Sequence, residues 1–376
     1  MKIGFDAKRV FFNNTGLGNY SRDSVRVLSQ YFPKNKYVLY TTKKNINTKT
    51  SFINSRDNIV VQQPQSLFSK NFTKYWRSKG IIKDLISDKI EIYHGLSNEL
   101  PIGIEKTTIK SVVTIHDLIF IRYPHLFKAI DRIIYYKKFK SSCHRADKII
   151  AVSEQTKNDI IQFFNISSDK IKVVYQGCNK IFQKKINDKT KQLTTKKYKL
   201  PKDYLLYVGT IEERKNLLTI LKTLKELPEY KLVIIGEGKS YKKKCLRFIS
   251  KYNLSNRVFF LQRLTIKEMA AIYQSANIMI YPSVFEGFGI PIIEALFSRV
   301  PVITSKGSCF SEAGGPHSKY IDPLSVFEMK EAIIEIQKSS EKRKFMIENG
   351  IQYAKKFTDD KIAKNLTSIY NKIYCL

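Results

Sequence analysis

Residues 281–301 read Y-P-S-V-F-E-G-F-G-I-P-I-I-E-A-L-F-S-R-V-P. Two carboxylates, Glu286 and Glu294, stand eight positions apart around a glycine-flanked turn. The apolar run 290–296 continues past the turn as a buried helix would. A carboxylate on the turn and another roughly one helical turn inside can face a common cleft. An acid within I-I-E-A-L is costly on a mostly buried helix unless it has a partner, which argues for function at Glu294. Paired glutamates alone would suit glycoside hydrolysis. What surrounds them decides otherwise.

Working outward, apolar runs at 204–208, 231–235, 258–261, 278–281 and 300–304 predict strands. Helical patterns at 216–227, 240–252, 266–274 and 291–298 lie between them. Such β/α alternation predicts a parallel sheet wrapped by helices. Residues 183–202 are rich in Lys, Thr and Asn, poor in apolar residues, and read as a domain boundary. The same alternation precedes them. Strands are predicted at 1–6, 37–41, 59–62, 90–94, 111–116, 148–152 and 172–175. A helix is predicted at 20–31, another starts near Gln155 behind the N-cap S-E-Q-T, and 43–50 reads as a polar loop. The last segment, 358–374, is a helix with apolar positions Ile362, Leu366, Ile369, Tyr370 and Ile373, able to lie across either half. A chain of 376 residues is long for one core, so two domains are expected.

The formal charge of +33 is extreme. Residues 1–200 carry 38 Lys and Arg against 15 Asp and Glu, whereas residues 201–376 carry 28 against 18. The first half is where a polyanion would be met: a phosphate-bearing substrate, an anionic lipid or nucleic acid. A general lysine bias decorating solvated faces accounts for the amount of charge but not for the asymmetry. Aromatic and basic residues interleave at 67–86 and again at 122–140. Both stretches suit amphipathic helices on a membrane surface, or ordinary helices with a basic outer face. Interleaving of this kind with a high pI is also a nucleic-acid footprint. No helix-turn-helix, zinc-finger or RNA-recognition pattern accompanies it, so no nucleic-acid partner is expected. The five cysteines show no C-x-x-C pair and no histidine at ligand spacing, which disfavours a zinc site or a disulfide framework. With no apolar leader and no run of membrane-spanning length, a cytoplasmic protein is expected, peripheral at the inner face of the membrane if it associates there.

The first strand is followed by a loop, N-N-T-G-L-G-N, which carries Gly16 and Gly18 ahead of the helix predicted at 20–31. Strand, glycine loop and helix suit an anion at the loop amides, although the full dinucleotide fingerprint is absent. Two further strands end in His94 and His116, and strand C-termini face the ligand crevice of an open α/β sheet. In the second half, G-T-I-E-E-R-K-N follows a strand and places Arg214 and Lys215 at its C-terminal end. A guanidinium and an ammonium there can neutralise a diphosphate as its charge develops. Beside the glutamates, they favour transfer over hydrolysis. No Asp-x-Asp motif is present, and a metal is not required where two cations serve.

G-T-I-E-E-R-K-N, then I-I-G-E-G, then Y-P-S-V-F-E-G-F-G-I-P-I-I-E-A-L resemble retaining glycosyltransferase family 4, the group 1 glycosyl transferases. T-I-H-D-L and A-D-K-I-I-A-V-S-E-Q-T in the first half match in order and spacing. The resemblance runs from Met1 to the C-terminal helix. It implies a GT-B fold, two Rossmann-like α/β domains facing across a cleft: an acceptor-binding domain 1–185 and a donor-binding domain 186–357. The C-terminal helix, in 358–376, would cross back to the first.

Carried over by position, Arg214 and Lys215 would hold the donor diphosphate and stabilise the leaving group. Glu286 would bind hexose hydroxyls, with Gly287, Phe288, Gly289 and Ile290 offering backbone amides, and Glu294 would accept from the ribose hydroxyls. Gly16 and Gly18 would let their loop approach the phosphates. His116 would contact the transferred sugar near C6 with Asp117 beside it, and His94 would line the acceptor side. Glu237 would sit in a turn near the donor and Arg263 near the base. The family often has Gly where this chain has Gln262, which leaves the nucleobase open. The implied enzyme moves a hexose, mannose or glucose, from a GDP- or UDP-linked donor to a glycan or lipid-linked acceptor, with retention and without a cofactor or metal. A noncatalytic GT-B assembly subunit is the alternative within the fold.

Overall fold

The computed structural model describes residues 1–47 and 49–375. Thr48 in the expected loop, the terminal Leu376 and the side chain of Phe68 lie outside the described residues. The chain divides into two units. One is Met1–Gly177 together with the segment from Thr358 on, and the other is Cys178–Phe357.

The first unit is built on seven parallel strands: β1 (Lys2–Asp6), β2 (Lys36–Tyr40), β3 (Ile59–Gln62), β4 (Ile92–Gly95), β5 (Lys110–Ile115), β6 (Lys148–Ala151) and β7 (Ile171–Val173). Their order is β3-β2-β1-β4-β5-β6-β7. Successive side chains of a strand point to opposite faces, and the core divides accordingly. Ile92 and Val112 join one cluster while their neighbours Tyr93 and Val113 join the other. On the first face the C-terminal helix Asp359–Tyr374 buries Ile362, Leu366, Ile369, Tyr370 and Ile373, one stripe at helical spacing. Its first turn is pinned by a bidentate pair from Arg26 to Asp359 at 2.7 and 3.1 Å.

The second unit carries six parallel strands: β8 (Leu205–Val208), β9 (Leu232–Ile235), β10 (Val258–Leu261), β11 (Ile278–Tyr281), β12 (Val302–Ser305) and β13 (Lys319–Ile321). Their order is β10-β9-β8-β11-β12-β13. Strands β8, β11 and β12 are buried at every position, which is why they read as unbroken apolar runs rather than alternating ones. Both sheets follow the doubly wound order, in which the chain reverses direction between the first strand and the fourth.

Several sequence expectations are corrected. The domain boundary expected after residue 185 falls eight residues earlier, after Gly177. The intervening residues belong with the second unit because Phe182 packs edge-on against Tyr273 and Gln274 bonds both the Ile186 amide and the Lys184 carbonyl. Within the expected boundary segment a helix, Asp188–Tyr198, is capped by Asn187, whose side chain accepts from Thr190 at 2.8 Å. The stretch 67–86 is not one amphipathic helix. It breaks into Leu67–Asn71, Thr73–Tyr75, a wide turn Trp76–Gly80 and Ile81–Ser87. Trp76 there is buried and donates to Asp84 at 2.5 Å. In 122–140 the long helix begins only at Ala129 and runs to Arg145, behind a short turn Pro124–Leu126.

Candidate functional site

The reversal point of the second sheet lies between β8 and β11, which pair directly. Loops at the C-terminal ends of those two strands frame the crevice where open α/β sheets take ligands. The β8 loop carries Arg214 and Lys215 in a short turn that ends in a left-handed Asn216. Asn216 tolerates that conformation and bonds the Pro323 carbonyl at 2.5 Å and the Thr219 hydroxyl at 2.8 Å. The β11 loop carries Glu286. The Val284 amide donates to the Arg214 carbonyl at 2.8 Å, so the two loops are tied backbone to backbone.

Glu286 Oε1 lies 2.8 Å from Arg214 Nη1 and 2.5 Å from Lys215 Nζ. Lys215 also donates to the Tyr281 hydroxyl at 2.6 Å, with its ammonium 4.9 Å from that ring's centre. Arg214 reaches the Phe285 carbonyl and Glu212, both at 2.5 Å. Burial alone would raise the Glu286 carboxyl, but Lys215 and Arg214 outweigh it and hold the group at about 2. Burial likewise opposes the Arg214 charge, and Glu286 and Glu212 overcome it. The phenol of Tyr281 is pushed well up by burial and by the Glu286 charge, so it stays a neutral partner. Two cations are thus held almost out of water by carboxylates at the edge of the crevice.

Gly289 caps the helix Ile290–Phe297 at φ +131°, where a side chain would be strained, and a Cβ would sit 3.2 Å from Ile292. Cys309 holds the loop before it, donating to the Glu286 and Phe288 carbonyls at 3.2 and 2.7 Å. Phe288 is buried against Phe357. Glu294 is 9% exposed on that helix. It accepts from the Tyr273 hydroxyl at 2.8 Å, the kind of partner a carboxylate among Ile292, Ile293 and Leu296 needs. The two glutamates therefore serve different partners, Glu286 the cations and Glu294 the phenol. Glu237 is exposed on the loop after β9, its carbonyl accepting from the Ile211 amide at 2.7 Å. Arg263, exposed and left-handed, follows β10.

The remaining candidates belong to the first unit. His116 follows β5 with its ring buried. Its Nε2 lies 2.9 Å from the Leu96 carbonyl, its Nδ1 3.4 Å from the Gln176 amide, and Tyr20 stands edge-on to the ring. Asp117 is half-buried and accepts from the Ile119 amide at 3.2 Å, opening a turn. His94 does not line an open surface. It is 0% exposed inside β4, with Nδ1 2.7 Å from the Tyr370 hydroxyl and Nε2 2.8 Å from Thr114. Gly18 has an internal reason to be glycine, since a Cβ would meet the Asn13 carbonyl oxygen at 1.9 Å. Gly16 has none: a Cβ there would meet nothing within 4 Å.

Two family models match consecutive parts of the chain. Residues 27–180 match glycosyltransferase family 4 and residues 188–353 match glycosyl transferases group 1. This chain is a group 1, family 4 glycosyltransferase. The O-antigen chain mannosyltransferase B of Escherichia coli is 25% identical to it over 374 residues, 95% of this chain and 96% of that protein. The O-antigen chain mannosyltransferase RfbU of Salmonella typhimurium is 30% identical over 214 residues, 56% of each chain. A sucrose-phosphate synthase from Thermosynechococcus elongatus superimposes with a TM-score of 0.80 at 17% identity, covering 100% of this chain and 99% of that one. A glycosyltransferase from Rickettsia africae gives 0.78 at 16% identity, covering 99% and 98%. Those structures share the two Rossmann-like α/β domains of GT-B proteins.

In this glycosyltransferase, Tyr273, Tyr281, Cys309 and Glu212 bear on the site and none was expected from sequence. Tyr281 opens the deciding stretch, and a tyrosine ending a fully apolar strand was the available signal. Tyr273 sits mid-helix in Ile266–Ser275 and Cys309 in a loop after β12, where nothing local reveals their partners.

Proposed function

We propose that the enzyme transfers a hexose, mannose first and glucose second, from a nucleotide-diphosphate sugar to a glycan or lipid-linked acceptor, with retention of the anomeric configuration. The observation that carries this is the Glu286 carboxylate holding both Arg214 and Lys215 at the sheet's reversal point. The names of the two mannosyltransferase relatives support mannose and an O-antigen or related surface polysaccharide. Related folds solved with UDP and with UDP-glucose support a nucleotide-sugar donor, GDP- or UDP-linked.

In this reading the bond between sugar C1 and the diphosphate oxygen breaks while Arg214 and Lys215 take up the charge that develops on the leaving group. The acceptor oxygen bonds C1 on the same face, and its proton passes to the departing phosphate. Glu286, kept ionised, receives hexose hydroxyls, and Glu294 receives the ribose hydroxyls. The sugar contact expected of His116 requires the Gln176 amide, at 3.4 Å, to give way. No metal is needed in this scheme, so transfer should persist in a chelator.

The acceptor is proposed to be met at the cytoplasmic face of the membrane. Ile130, Ile133, Ile134, Tyr135 and Tyr136 are exposed on the helix Ala129–Arg145, alongside Lys137 and Lys138. Neutralising the basic residues of 122–140 should weaken binding to anionic liposomes, and unchanged binding removes this part.

The deciding experiment is thermal shift against a panel of nucleotide sugars, followed by anomeric NMR of the product. A donor stabilises the fold in proportion to its occupancy. A GDP- or UDP-sugar should raise the melting temperature and yield a product with the donor's anomeric configuration. A panel without any shift, or an inverted product, would sink the reading.

A further inference from the structure

The first sheet also has a reversal point, between β1 and β4, and a cavity of about 530 Å³ opens beside it. Asp6 at the end of β1 and residues 99–102 behind β4 form its floor. Six cations line it: Lys8, Lys74, Arg77, Lys137, Lys138 and Arg145. Three carboxylates answer them, Asp6 and Glu99 in the lining and Glu105 beside it, and each is already engaged, Glu105 with Arg145 at 3.4 Å. Arg77 lies 3.3 Å from Asp6 and 3.2 Å from Glu99, and Lys138 lies 3.3 Å from Glu99. Among the described residues, no hydrogen bond or ion pair is formed by the ammonium groups of Lys8, Lys74 and Lys137. Lys8 is held below the usual lysine range by burial and by its neighbours Arg77 and Arg9. This part of the wall carries more positive charge than the protein balances.

The crowding needs a physical reason. Like charges around one cavity repel, and a bound polyanion is what turns that repulsion into attraction. The volume lies within the range of small-molecule sites and exceeds what a single inorganic phosphate needs. Beside it, sharing Lys137, lies a shallow apolar patch of Phe120, Pro124, Ile133 and Tyr136.

We propose that this cavity binds the phosphate or diphosphate ester group of the acceptor. The word acceptor rests on the transfer reading above; the anion site itself does not. The ester can belong to a lipid-linked diphosphate, whose chain would follow the apolar patch, or to a free phosphorylated sugar.

Pyrophosphate titrated calorimetrically at about 0.15 M salt tests the site. The titration uses the full chain carrying Lys215→Ala, which weakens the competing anion site in the second unit. Binding should persist there and weaken at least tenfold when Lys74→Ala and Lys137→Ala are added. Adding Lys243→Ala and Lys244→Ala instead, both exposed on a helix of the second unit, should leave it unchanged. No binding, binding indifferent to the cavity pair, or equal loss in the control pair overturns the proposal. A short-chain prenyl diphosphate and a sugar phosphate then compete with pyrophosphate. Tighter competition by the first assigns a lipid-linked ester and by the second a free one, whereas displacement by neither overturns the site. Because no donor enters these titrations, their failure speaks only of the cavity. Absence of any donor thermal shift speaks only of the transfer reading.

Discussion

Lys215 Nζ lies 2.5 Å from Glu286 Oε1 and 2.6 Å from the Tyr281 hydroxyl, so a carboxylate and a phenol from the other side of the sheet's reversal point fix one ammonium. Each partner is nearly buried, and a cation left there alone is strongly unfavourable. Glu286→Gln is therefore expected to cost about 3 kcal/mol of stability, read as a shift in the urea midpoint. Lys215→Ala should lower the transfer rate by roughly a hundredfold or more, as loss of one charge-stabilising donor does elsewhere. Full activity in Lys215→Ala would remove it from the leaving-group role.

Tyr273 and Glu294 form a second buried pair. Tyr273→Phe takes away a hydrogen bond to a charged acceptor, worth about 2 kcal/mol. The variant should fold with a lower melting temperature and bind nucleotide sugar more weakly, because the carboxylate loses the Tyr273 hydroxyl that helps orient it. Donor affinity identical to wild type would separate Glu294 from the ribose.

Acid should destabilise the first unit early. Burial holds His94 at about 3, with His116 adding to it, and burial likewise holds His116 at about 4, against an ordinary 6.5. Both rings stay neutral in the fold, while the unfolded chain takes up protons below pH 6.5. Stability is then complete above pH 6.5 and falls by up to about 2.7 kcal/mol per pH unit between 6.5 and 4. Glu286 adds its share only between about 4.5 and 2, where its depressed carboxyl finally protonates. Urea midpoints at pH 7, 6 and 5 measure the slope, and His94→Asn should reduce it by about half. A flat profile from pH 7 to 5 would contradict neutral buried rings.

Gly18→Ala must displace the Asn13 backbone, so its melting temperature should drop. Gly16→Ala meets open space at a helix start and should match or exceed wild type in stability. If Gly16→Ala nonetheless loses transfer, its loop serves a ligand. Retained transfer in a stable variant would leave the glycine without a function.

Arg26 and Asp359 join the C-terminal helix to the helix Gly16–Tyr31, with Asp359 only 3% exposed. Arg26→Ala takes the bidentate guanidinium away from that carboxylate and should cost about 3 kcal/mol. Amide exchange should quicken first in residues 359–374, and protection there equal to wild type would show that apolar packing alone holds the helix.

Much of the site was legible because its chemistry is local. Arg214 and Lys215 fall just after a strand that any reading finds, and Glu286 falls in a glycine turn. The misreadings share a cause. The segment 183–202 looked like a domain boundary because its helix, Asp188–Tyr198, packs one thin side and exposes lysines on the rest. His94 and His116 looked alike, each ending an apolar run, yet His94 lies within β4 and is closed off by Tyr370 and Thr114, whereas His116 lies just past the end of β5 beside Leu96 and Gln176.

By itself the sequence determined two α/β halves, the positions of every strand except β13 within a residue or two, the family and the placement of both cations at a strand end. Those features follow from apolar periodicity and motif order, which are properties of neighbouring residues. Only the tertiary structure decided the partners. It set Lys215 on Glu286 and Tyr281, Glu294 on Tyr273, His94 on Tyr370, and Arg26 on Asp359 across 333 positions of chain. Such pairings depend on which groups share a buried volume, and spacing along the chain carries no record of that.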